Sequence, residues 1–187
     1  MRFSEQLCSA TIFAWAMYWL PGAAVGQAVT VIQRGATPNI GPSSLSVSAS
    51  PSALSFNLIA KGEAVGNSPI TITTSYSGLT MSGNLNLYAS FMSSTAALAG
   101  NLSTAVIPSS AVSGQMTAGL PTTYIAFTQS SPVGGAGASL KLISQHVLAG
   151  AGSSRTDVLN LKIDLTNIPE LPADTYTGTL ILQAQAP

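Results

Sequence analysis

The sequence predicts an all-β fold: an antiparallel two-sheet sandwich of roughly seven to nine short strands on a Greek-key path. Three observations predict it. Apolar and polar residues alternate with period two along much of the chain. Turn-formers interrupt the alternation at short intervals, as at Lys61-Gly62, Gly66-Asn67, Ser82-Gly83 and Gly150-Ala151-Gly152. No long stretch carries apolar residues at helical spacing. Met92–Leu102 reads as a loop because of its serines and Gly100.

The first element is a targeting segment. Arg2 and the terminal amine precede an uncharged run from Leu7 to Leu20, Pro21-Gly22 stops any helix, and Gly26-Gln27-Ala28 offers small residues at a cleavage point. This layout predicts a secretory signal peptide over 1–28 and a periplasmic, cell-surface or extracellular destination. The run is shorter than the ~20 apolar residues of a membrane span. Membrane contact is therefore expected only through the leader. Cys8, Trp15 and Trp19 leave with it, so the exported domain has no cysteine with which to form a disulfide.

Residues 29–44 then read as an N-terminal extension or first strand. Val29, Val31 and Ile32 are the candidates for an arm that pairs with a neighbour's sheet. Read as an arm, its deletion should abolish polymers and leave a folded domain. Residues 45–187 read as a single sandwich domain. Its clearest strands centre on Leu54-Phe56-Leu58, Ile70-Ile72-Tyr76, Leu85-Leu87-Phe91, Leu159-Leu161-Ile163-Leu165 and Tyr176-Leu180-Leu182. Weaker strands are expected at Ala28–Gln33, Ser44–Ser48, Thr122–Thr128 and Leu140–Leu148. In the last of these the apolar phase slips between Leu142 and Ile143, which predicts a bulge. Residues 92–121 and 129–138, rich in Ser, Ala and Gly, read as large loops.

The segment Ile168-Pro169-Glu170-Leu171-Pro172-Ala173-Asp174-Thr175-Tyr176-Thr177-Gly178-Thr179-Leu180 resembles the closing strand of bacterial secreted immunoglobulin-like modules, and Ser50-Pro51-Ser52-Ala53-Leu54-Ser55-Phe56 is similar to their opening strand. A related ending occurs in some fimbrial subunits. Asp174 stands where such modules often have Gly. The resemblance implies an Ig-like sandwich without catalytic residues. Physics gives the same motif separate reasons: Pro172 directs a turn, the Tyr176 hydroxyl can bond backbone, and Gly178 leaves room for a close neighbour.

Charge narrows the function. Six Lys and Arg balance six Asp and Glu, and charged residues make up 6% of the chain. Nucleic-acid binding needs clustered cations, so none is expected. One His and one Cys supply no metal framework, and no cofactor is expected. His146 could serve a Ser–His–Asp hydrolase with Asp157 or Asp164, and the aspartates with Glu63 or Glu170 could form a glycosidase pair. No G-x-S-x-G marks a nucleophile, and the glycine-rich loops lack the residues of a phosphate-binding loop. The expectation is a non-catalytic secreted or cell-surface structural or interaction protein, pilin-like in assembling by strand addition. Its partners would be further copies or surface proteins. The alternative is a glycan- or cell-wall-binding module, with Tyr88 as an exposed platform and Tyr124 as a second contact.

Overall fold

A computed structural model describes residues 27–36 and 44–187, so most of the expected leader lies outside the described residues. Thirteen strands form two packed sheets among them. The first sheet has the order β11 (Ser139–Val147), β6 (Gly83–Ser90), β13 (Tyr176–Gln185), β1 (Gln27–Ala36) and β3 (Ala53–Phe56). Beside β13 lies β7 (Leu98–Gly100), which pairs in turn with β8 (Val106–Ile107). The second sheet has the order β10 (Ile125–Ala126), β9 (Val112–Met116), β12 (Ser153–Asp164), β5 (Ile70–Ser77) and β2 (Ser44–Ser50), with β4 (Glu63–Val65) against β12. The all-β two-sheet sandwich is thus as expected. The strand count is higher because β4, β7, β8 and β10 are only two or three residues long. One pair, β1 with β13, is parallel, so the architecture is not wholly antiparallel.

Alternation explains the core. Ile70, Ile72, Leu159, Leu161 and Ile163 of the second sheet are buried, as are Leu85, Leu87, Leu180 and Leu182 of the first. Phe91 and Phe127 meet edge to face with centroids 5.1 Å apart, a favoured aromatic geometry. The expected bulge in β11 is present, with the register against β6 shifting between Lys141 and Ile143.

Residues 92–121 are not one loop. They contain β7, β8, a 3₁₀ turn (Ser109–Ala111) and β9. The alternation of β9 is hidden because its inward positions are Val112, Gly114 and Met116. A Cβ on Gly114 would stand 2.8 Å from Leu140 Cδ2, so packing removes the apolar side chain that would have marked the strand.

Candidate functional site

The site begins where β13 is anchored. Asp174 is buried, and its carboxylate accepts hydrogen bonds from the backbone N–H groups of Leu102, Ser103 and Thr175 and from the Ser103 hydroxyl, at 2.7–3.1 Å. These donors hold the carboxyl at about 2, led by the Ser103 hydroxyl bond. A glycine could not make these bonds, so Asp174 ties the turn before β13 to the loop after β7. The Tyr176 hydroxyl donates to the Pro172 carbonyl at 2.9 Å, as a tyrosine corner does. Its burial raises the phenol above its ordinary range. A Cβ on Gly178 would lie 2.2 Å from the Ala97 carbonyl oxygen, so the close neighbour expected there is backbone.

Anchored in this way, β13 has two flanks with different owners. On one side β7 pairs with Tyr176–Gly178 and β6 with Ile181–Gln185. On the other side the sole partner among the described residues is β1, in unbroken parallel register from Ala28↔Thr177 to Ala36↔Gln185. The far side of β1 pairs antiparallel with β3, from Gln27↔Phe56 to Thr30↔Ala53. Val29, Val31 and Ile32 thus stand beside Gly178, Leu180 and Ile181. Residues 29–36, within the segment read as an extension or first strand, lie inside the first sheet. They occupy a slot between the last strand of the chain and β3.

Of the two tyrosines proposed for ligand contact, Tyr88 belongs to β6 of the first sheet and Tyr124 adjoins β10 of the second. Tyr88 lies on the outer face of β6 but is only 8% exposed, so the exposed platform expected from alternation does not exist. The loop 129–138 folds back over that face. A Cβ on Gly134 would sit 2.4 Å from Ser90 Cβ, two residues along β6 from Tyr88. Val133 of this loop and Ile181 of β13 are buried outside the main core, as Tyr88 is. Tyr124 is half-buried next to β10, with the Lys162 ammonium 5.1 Å from its ring centroid. That ammonium also pairs with Glu63 at 2.6 Å.

Of the candidate catalytic groups, Glu63 and Asp164 are register partners across β4 and β12. His146 is exposed on the outer face of the first sheet, with Asn84 as its register partner. Asp157 points into the sandwich from the second sheet and holds Arg155 at 2.7 Å. That bond and the carboxylate's charge raise the guanidinium above its ordinary value against a smaller effect of burial. Asp164 caps its own strand by accepting from the Thr166 N–H, and is lowered by Thr166. Glu63 is engaged with Lys162, and Glu170 is exposed. Among the described residues, no three His, Cys, Asp or Glu gather around a point that could hold a metal ion. A cleft of about 380 Å³ opens between β11 and the 120–125 segment, lined by Leu120, Pro121, Ile125 and Ile143 with Lys141 at its rim. No protein-family model matches this chain, and no curated protein matches it either.

The strand slot therefore concentrates the candidate function. Sequence reasoning named the arm residues but not their acceptor, because nothing in the composition of β13 says which strand lies beside it.

Proposed function

We propose that this chain is a non-catalytic, exported structural subunit that assembles by strand exchange, β1 of one copy filling the slot between β13 and β3 of the next. The supporting observation is that β1, the first strand among the described residues, is an inner strand. Once the proposed leader is removed, such a strand can leave and re-enter a sheet without threading the rest of the polypeptide. Residues 37–43 (TPNIGPS) join it to β2 in the sequence. Exchange preserves the ladder of the closed form while transferring it to a second copy, the route by which domain swapping makes assemblies at low cost. If the rotation between copies does not close, the product is a filament.

Thr30 and Thr179 are register partners, and the only cysteine of the sequence, Cys8, lies in the leader. The double variant Thr30→Cys/Thr179→Cys therefore reports ownership of the strand, since adjacent strands place Cα atoms at disulfide distance. Exchange predicts a ladder of covalent oligomers on non-reducing gels that grows with protein concentration. Closure within single chains at every concentration rejects the proposal.

A further inference from the structure

The outer face of the second sheet carries a regular array of hydroxyls. Strands β2, β5 and β12 pair in continuous register, so Ser46, Ser75 and Ser154 form one row across the sheet and Ser48, Thr73 and Thr156 the next. Ser50 and Thr71 continue the pattern below, and Ser44 with Ser77 above. Neighbouring rows are separated by about 6.7 Å along the strands, and neighbouring strands by about 4.8 Å. The hydroxyls order one another: Ser75 and Ser154 lie 2.8 Å apart, Ser44 and Ser77 2.8 Å, and Thr73 and Thr156 3.3 Å. No ionisable side chain stands in these rows. Arg155 and Asp157 face the interior, and Lys162 is engaged further along β12 with Glu63 and Tyr124.

Solubility does not require this pattern, because Lys and Glu would wet such a face as well. The chemistry limits what can dock there. Each hydroxyl offers one donor and two lone pairs, and each bonded pair keeps an O–H and acceptor sites for a partner. An apolar protein surface would leave these groups dehydrated and unpaired, at a cost. A polyanion would find no cation among them. A neutral polymer whose own hydroxyls both donate and accept meets every requirement. We infer that the outer face of β2, β5 and β12 is a binding surface for a neutral, hydroxyl-rich polysaccharide. The surface lies on the sheet opposite the strand slot, so it acts in a single copy and stands independently of strand exchange.

The test uses the full chain, with microcrystalline cellulose and a soluble neutral β-glucan as probes and alginate as the anionic control. Thr73→Val/Thr156→Val removes two central hydroxyls while keeping shape and β-propensity. Losing several hydrogen bonds of about 1 kcal/mol each should weaken retention about tenfold or more. Ser154→Lys, at an exposed position, provides a second variant whose fold is at little risk and whose retention should also fall. Asn84→Ala, on the outer face of the other sheet, should bind as the parent does. Retention by neither neutral probe, equal retention of the parent and both lattice variants, or retention by alginate alone would each overturn the inference.

Discussion

Removing residues 27–36 tests whether β1 is structural or a loose arm. Its loss leaves one flank of β13 without a partner from Thr177 to Gln185. Along a strand, alternate residues aim both N–H and C=O to the same side, so about nine backbone groups of β13 lose their bonds. At about 1 kcal/mol net each, the loss is about 9 kcal/mol. The whole stability of a domain is roughly 5–15 kcal/mol. The truncated chain should therefore lose cooperative urea unfolding followed by circular dichroism, with its far-ultraviolet strand signal reduced. A synthetic peptide of residues 27–36 added in trans should restore a sigmoidal transition whose midpoint rises with peptide concentration, as linkage requires. A truncated chain that unfolds at the parent's midpoint without peptide would refute the inner-strand role and return β1 to a dispensable arm.

Three further predictions follow from single contacts. Arg155→Met strands the Asp157 carboxylate, whose side chain is 1% exposed, and should cost about 3–5 kcal/mol; Asp157→Leu leaves a guanidinium that is 35% exposed and reachable by water, and should cost about 1 kcal/mol. Equal urea midpoints for the two variants would contradict the asymmetry. Asp174 titrates lower in the folded chain, at about 2, than in the unfolded one, so its contribution is complete above the unfolded value near 4 and disappears as the pH falls towards 2. The stability difference between parent and Asp174→Asn should shrink over that window, whereas a constant difference would assign the residue a role independent of its charge. Gly178→Ala should lower the urea midpoint by the equivalent of about 2–3 kcal/mol, because the methyl collides with the Ala97 carbonyl, and an unchanged midpoint would show that residues 96–98 yield freely.

Most of the fold was legible where inward positions carry branched side chains, as at Ile70, Ile72, Leu159 and Leu161, since period two then shows in the sequence. It was illegible at β9, where Gly114 occupies an inward position against Leu140 and Leu159. Tyr88 exposes another limit. Alternation correctly places it on the outer face of β6, but it does not reveal that loop 129–138 returns over that face. The signal that could have been used is the pair Gly134-Gly135, whose missing side chains let the loop approach Ser90 and Met92. The candidate site was half legible: the first-strand residues were identifiable from β-propensity, whereas their parallel pairing joins segments at opposite ends of the chain and follows from the path of all the strands between.

The scarcity of charge connects the two proposed surfaces. A strand slot that exchanges partners brings copies together at a sheet flank, where a net charge would oppose approach, and this chain carries none. A hydroxyl lattice binds weakly at each contact, because every bond formed replaces one to water. Such a surface gains from repetition, since linked copies convert later contacts into intramolecular ones and raise avidity by up to about 10²–10⁴-fold. Oligomers fixed by the Thr30→Cys/Thr179→Cys disulfides should therefore stay on cellulose through washes that remove single chains of the same variant closed by an internal disulfide, at equal subunit concentration. Identical retention of the two forms would mean that assembly turns the lattices away from a common surface. Strand exchange and polysaccharide binding would then be separate properties of one fold, with neither strengthening the other.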